Sequence, residues 1–308
     1  MMKLLSANFF PMLHTKRLWL GAAFMAVFAG VGEFTIRREI AQGLYKEATL
    51  DDSFLSFAPM LFILLPIVCG LFINTDYHDG TIRNKITVGR TRSSVYLSNL
   101  LIVWLVEIFY TVIHVVVVLI GGVGIGFDNL PSVALRSALL LLAIAALAAI
   151  ATFIATIMTG RYALVFCALL AIGMMFGSQI INEMMTSPDM IPDIEDIVYI
   201  SDENGTMTPI YTDSEGNTHD YDHDDIPMKP NPHYIREPLR SILRTYNNIS
   251  PGGQIWEIIN RGHEEWDIET QQQVVHETPY WQLALYSVCV TAGFTALGLV
   301  LFRRKDLK

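Results

Sequence analysis

Apolar residues along this chain gather in long unbroken blocks, and six of them reach membrane length: 18–36, 54–74, 95–120, 133–158, 162–182 and 280–302. A hydrocarbon core of about 30 Å takes roughly 20 helical residues to cross. Backbone amides in lipid must be bonded within their own segment, so helices are expected, and the alternation that a barrel requires is missing. The pattern predicts an all-α polytopic membrane protein with six transmembrane helices. Ahead of the first span, Leu4, Leu5, Phe9, Met12 and Leu13 fall near helical spacing. They predict a short interfacial helix within residues 1–17, bent or ended by Pro11. The first span is long and lacks an A-x-A site, which sets it apart from a cleavable signal peptide.

Between the fifth and sixth spans the pattern changes. The stretch IVYISDENGTMTPIYTDSEGNTHDY alternates apolar and polar residues around Asn204-Gly205 and Glu215-Gly216-Asn217, which predicts small β-hairpins. Helical spacing returns over 237–273. Ser250-Pro251 forms a helix start, and a helix over 251–261 carries Ile255, Ile258 and Ile259 on one face before Gly262. The expected organisation is an interfacial helix (1–17), five spans with a polar loop at 75–94 (18–183), a small α+β extracellular domain (184–279), and a sixth span with a basic tail (280–308).

Composition agrees with a membrane protein: 52% of residues are hydrophobic and mean hydropathy is +0.39. The net charge of −9 hides a division. Residues 184–279 hold 19 acidic and 5 basic side chains, a net of −14, and the remainder is net +5. Placing both termini in the cytoplasm puts Lys16, Arg17, Arg83, Lys85, Arg90, Arg92, Arg161 and the 303–308 tail inside, as the positive-inside rule favours. Basic residues are too few outside and too close to the membrane inside to bind nucleic acid. Cys69, Cys167 and Cys289 all fall within spans, which argues against a disulfide framework or a cysteine-rich metal site.

Candidate chemistry is concentrated in two places. The segment DYHDGTIRNK, Asp76 to Lys85, is a polar loop between spans two and three. As a helix it would set Ile82, Ile86 and Val88 in a small apolar face beside Arg83, Lys85 and Arg90, suited to a groove in a cytoplasmic partner. The bland alternative is a solvated basic loop that fixes topology. In span three, Trp104, Glu107, Thr111 and His114 recur on one helical face. They form either a polar stripe along a translocation path or a packing network between helices. Glu33 is expected to pair with Arg37 one turn on, and Arg136 to snorkel toward the outer interface. DYDHDD at 220–225 lacks the Gly and closing Glu of an EF-hand, and His219 with His223 has zinc spacing only on a helix; a solvated acidic loop is expected. No G-x-x-x-x-G-K-[ST] occurs, and GGVGIGF at 121–127 lacks a lysine, so ATP hydrolysis is not expected of this chain.

The whole resembles the permease subunit of an ATP-binding-cassette (ABC) transporter of the type-two exporter class. D-Y-H-D-G-T-I-R-N-K-I followed by V-G-R-T-R, the YNNISPGGQIWEIINRG segment before span six, and the ending L-F-R-R-K-D-L-K carry the resemblance. It implies that Asp76, Tyr77, Gly80, Thr81, Ile82, Arg83, Asn84 and Lys85 form a coupling helix resting on an ABC ATPase subunit. It also implies a second permease subunit, either an identical copy or a similar chain, in the cell membrane. ATP and Mg would bind the partner, and no cofactor would bind this chain. The cargo implied is hydrophobic or amphipathic, such as an antimicrobial peptide or drug. The large outer segment departs from the family pattern and leaves a second reading open, a membrane sensor whose acidic domain binds an external ligand without transport.

Overall fold

The computed structural model describes residues 2–44, 49–158, 161–201, 207–220, 226–267 and 272–305. Six helices are long and apolar enough to cross a bilayer: Lys16–Ala41, Asp51–His78, Arg92–Gly121, Leu130–Ile157, Tyr162–Thr186 and Tyr280–Arg304. These are α2 (Lys16–Ala41), the joined pair α3 (Asp51–Leu55) and α4 (Phe57–His78), α6 (Arg92–Gly121), α7 (Leu130–Ile157), α8 (Arg161–Thr186) and α11 (Tyr280–Arg304). The short helix α1 (Met2–Leu13) precedes them, and α5 (Thr81–Thr87) lies between α4 and α6. Pro11 does not end α1, which runs two residues further to Leu13.

Local chemistry sets several boundaries. The Thr91 hydroxyl accepts from the Ser94 amide at the start of α6, and Asn129 accepts from the Ser132 amide at the start of α7, both capping free amides. Pro131 fills the first turn of α7, where a missing N–H costs nothing. Near the far end of the segment between the fifth and sixth spans, α10 (Pro251–Asn260) starts after Ser250 and stops on Arg261 in the left-handed region, φ 60°, as the sequence predicted for 251–261.

The helical unit comprises Met1–Ile181, Leu243–His263 and Glu277–Lys308. Its core is built on α7, where Ala143, Ala146, Ala148, Ala149, Ala151 and Ala155 are all buried. Small side chains let neighbouring backbones approach, which matters in lipid because apolar burial gives little drive between helices. Gly70 of α4 lies against the Leu164 backbone of α8, and Gly21 of α2 against Tyr110 of α6, whose hydroxyl donates to the Leu18 carbonyl at 3.1 Å. Helix α10 inserts its glycines among the spans. A Cβ on Gly252 would meet the Met174 carbonyl at 2.4 Å, and Trp256 donates to the Met175 carbonyl at 3.1 Å. Twelve residues separate Tyr162 from Met174, about 18 Å of helix, so this turn reaches into the membrane-spanning part of α8. Gln254 ties it to α11 by accepting from the Ser287 hydroxyl at 2.5 Å.

The second unit, Asn182–Ile242 and Glu264–His276, holds short antiparallel strands. Strand β1 (Met190–Pro192) pairs with β5 (Met228–Pro230), and β2 (Asp196–Ser201), β3 (Met207–Thr212) and β4 (Thr218–Asp220) form a three-stranded meander. Asp213 organises the β3–β4 turn. It accepts the amides of Glu215 (3.0 Å) and Asn217 (2.8 Å) and contacts His219 at 2.9 Å. The His219 contact and the Asn217 amide together hold its carboxyl well below the usual range. Gly216, φ 85°, supplies the positive angle this turn needs. Arg240 is the interior tie, with its guanidinium on Glu265, the Tyr234 hydroxyl at 2.7 Å and the Met185 carbonyl at 2.7 Å.

One expectation changes here. Helix does not persist to residue 273: α9 (Leu239–Ile249) and α10 give way to a hairpin of β6 (His263–Asp267) and β7 (Gln272–His276). The Gly262 break and the β-branched pair Val274-Val275 favour strand there. The Asn204-Gly205 turn, His223 and residues 221–225 of the acidic run lie outside the described residues.

Gly252→Ala or Gly253→Ala should lower the melting temperature of the detergent-solubilised protein markedly. Each Cβ would strike backbone oxygen, at Met174 and Asn247, with a cost of about 1–3 kcal/mol or more. Gly293→Ala, in open space, should leave the melt unchanged or raise it. Heating followed by size-exclusion chromatography distinguishes these outcomes.

Candidate functional site

Only part of the polar loop forms a helix of its own: Asp76 and Tyr77 belong to the last turn of α4, and the separate helix is the seven-residue α5. Gly80 sits in the left-handed region, φ 65°, and turns the chain from α4 into α5. Three side chains, Ile82, Ile86 and Lys85, then bolt α5 to the ends of the spans. Ile82 is buried with Leu4, Val95, Tyr96 and Phe302, and Ile86 packs against the same cluster. Lys85 Nζ donates to Asp76 Oδ2 at 2.7 Å, with both groups mostly buried. Tyr77 donates its hydroxyl proton to the Thr156 carbonyl at 2.7 Å, at the end of α7.

The apolar face expected to seat in a partner is therefore turned inward. Ile82 and Ile86 hold α5 in place, and only Val88, 81% exposed, remains outside. Arg83, Asn84, Thr87 and Arg90 are exposed beside it, and Thr81 is partly buried at the first turn. Either side of so short a helix satisfies the spacing, and tertiary packing chose the inward one.

The end of α11 completes the clasp. Lys305 Nζ donates to the carbonyls of Thr156 (2.6 Å) and Ile157 (3.0 Å) and lies 4.4 Å from the centre of the Tyr77 ring. Arg92, at the start of α6, donates to the carbonyls of Phe302, Arg303 (2.9 Å) and Lys305. Cations are thus placed on the negative ends of α7 and α11. Sequence reading counted these residues only as topology signals.

The span-three stripe lies inside the helix packing. Trp104 Nε1 donates to the Ala145 carbonyl of α7 at 3.2 Å, and the Thr111 hydroxyl donates to the Glu107 carbonyl at 3.0 Å. His114 is fully buried, with Nε2 at 3.1 Å from the Ser53 carbonyl and its ring near Phe28 and Phe57. Glu107 is buried on the same face, and its Oε2 lacks a partner among the described residues.

Two side expectations are corrected. Arg37 does not pair with Glu33 but donates to the carbonyls of Gly121 and Val123 (2.7 Å) at the end of α6. Glu33, 3% exposed, packs against Gly121 without a partner among the described residues. Arg136 does not snorkel: it is 1% exposed, with Nη1 at 3.4 Å from the Ile259 carbonyl and Nη2 at 3.9 Å from Asp51 Oδ2. Asp51 also faces Arg261 at 3.7 Å and accepts the Asp128 amide at 3.1 Å. This cluster joins residues far apart in sequence, so spacing gives no sign of it. Nearby, Glu257 accepts the Thr278 amide at 3.0 Å and contacts His263 at 2.8 Å. Burial works against its charge, but the His263 contact and the Thr278 bond outweigh that and hold its carboxyl below the ordinary range.

Six apolar helices, a short bracing helix between the second and third spans and a cation-capped end at the last define a multi-pass membrane protein of the transport type. The sequence matches the family described as ABC-2 family transporter protein over residues 4–307, and the chain belongs to that family. It is an ABC-transporter permease, a membrane component of such transport systems. No curated protein matches the sequence.

Asp51→Asn should destabilise the fold by about 3–5 kcal/mol, because it leaves Arg136 buried beside no countercharge. Adding Arg136→Met should restore part of the loss, as read from melting in detergent. Lys305 offers a pH test. Burial lowers its ammonium from the ordinary 10.5 to about 8. Between those values the unfolded chain holds more protons at this site than the folded protein. Its contribution is therefore least favourable below about 8 and improves as pH rises toward 10.5. The melting-temperature difference between wild type and Lys305→Met should shift in favour of wild type across that window.

Proposed function

We propose that this chain is the membrane-spanning half of an ABC exporter, driven by a separate ATPase subunit and paired with a second permease subunit. Both termini and α5 lie in the cytoplasm in this reading, and the acidic 184–279 segment lies outside. The observation that carries it is the mounting of α5. Its exposed side and the turn after it offer Arg83, Asn84, Thr87, Val88 and Arg90, while Ile82 and Lys85 tie its inner face to α4, α6 and α11, and Tyr77 on α4 carries the connection on to α7. A push on the exposed face passes into those spans as a rigid displacement, since packed cores move as units. ATP and Mg bind the ATPase, whose closure supplies the push. The cargo is a hydrophobic or amphipathic molecule, such as an antimicrobial peptide or drug, and the acidic outer segment favours a cationic one.

The test is affinity purification of the tagged protein in mild detergent, with mass spectrometry of what co-purifies. Wild type should bring down an ATPase carrying the phosphate-binding motif absent here. Arg83→Glu with Arg90→Glu should cut its recovery by roughly tenfold while the permease elutes at its normal volume. Failure of wild type to recover any ATPase, under conditions that preserve other membrane complexes, would sink the exporter reading.

A further inference from the structure

A cavity of about 210 Å³ opens between α1, the start of α2, α4 and α5. At about 30 Å³ per molecule it has room for roughly seven waters, enough for a phosphoester with its substituents. Its walls are graded along one face of α4. Val68, Leu71 and Phe72 form the deeper part, and Thr75, Asp76 and Asp79 follow toward the polar end. Met12 and Thr15 repeat that order on the opposite wall, with Arg17 at the polar end. The gradient matches that of a bilayer at the junction of acyl chain and headgroup.

The depth is right as well. Phe10 on α1 and Trp19 at the start of α2 are exposed apolar anchors, the residue types that gather at a membrane interface. Trp19 is fixed there by donating to the Leu13 carbonyl at 2.8 Å.

The charges decide the ligand. Lys85 and Asp76 are closed on each other at 2.7 Å. That leaves Arg17 and Asp79 on the rim. Arg17 donates one guanidinium nitrogen to the Thr75 hydroxyl at 2.7 Å, which holds the group at the mouth with donors to spare. Asp79 is exposed, touching only the still more exposed His78 at 3.2 Å among the described contacts. One cation and one anion across a neutral floor favour a zwitterion over an anionic headgroup.

We propose that this cavity binds the headgroup of an amine-bearing zwitterionic phospholipid from the leaflet on the side of α5. Its phosphate sits on Arg17, its ammonium faces Asp79, and its first acyl carbons lie along Val68, Leu71 and Phe72. The lipid then fills the space between the interfacial helix and α5, so headgroup composition bears on how firmly α5 is held. The assignment stands on the cavity alone and does not require the exporter reading.

Native mass spectrometry of the purified full chain, titrated with phosphatidylethanolamine or phosphatidylglycerol, tests it. Wild type should retain phosphatidylethanolamine roughly fivefold better than phosphatidylglycerol. Arg17→Gln should cut retention of both by a similar factor. Asp79→Asn, at an exposed position that leaves the fold intact, should lose only the preference for the amine. Val68→Trp, which fills the apolar end, should abolish specific retention. Equal retention by wild type and all variants would reduce the lipid to a nonspecific annulus and overturn the proposal. So would preference for phosphatidylglycerol, or displacement by inorganic phosphate, which would make this a free-anion site.

Discussion

The rest of the molecule depends on how closely backbones can approach α7. Hydrocarbon surrounds a membrane helix with a solvent as apolar as its own side chains, so association rests on dispersion and on hydrogen bonds between helices. The alanines of α7 thin that helix to little more than its backbone and admit α4, α6, α10 and α11 to contact. Glycines do the same elsewhere, at Gly21, Gly70 and Gly298, each beside a bulky partner: Tyr110, Leu164 and Tyr96. Large side chains then fill what the small ones leave.

A second device recurs around this core. Arg37, Arg92, Lys305, Arg136 and Arg240 each place a cation on the last carbonyls of a different helix, at the ends of α6, α11, α7, α10 and α8 respectively. These carbonyls have no partner within their own helix, and the dipole makes the site negative. Long cationic side chains thus satisfy the backbone where the spans end, and they link one helix to the end of another. The clasp around Tyr77 is the densest instance, and it lies under α5.

Much of this was legible in the chain itself. Apolar blocks placed all six spans, because lipid allows only one way to satisfy the backbone of such a block. Ser250-Pro251 and Gly262 bracketed α10 because the backbone preferences that start and stop a helix are local, although the Ser250 hydroxyl caps no amide there. What escaped was what depends on partners distant in sequence. The i,i+4 spacing of Glu33 and Arg37 is real, yet two free carbonyls at the end of α6 hold the guanidinium instead. Arg136 had an apparent route to water, but Asp51 and the end of α10 enclosed it. Ile82 and Ile86 were correctly placed on one face of a helix, but spacing cannot say which face a seven-residue helix turns inward.

The carbonyl caps also bear on ionic strength. A net charge of −9, with −14 gathered in one segment, describes a surface whose long-range field salt would largely erase, since charges beyond about 8–10 Å are screened at physiological concentration. The caps act at direct hydrogen-bond range, two of them, Arg136 and Arg240, are buried, and they join a charge to a dipole within the protein. Counterions have little room to intervene there. The protein thus separates its two uses of charge: an acidic segment that responds to the salt around it, and buried helix ends that respond far less.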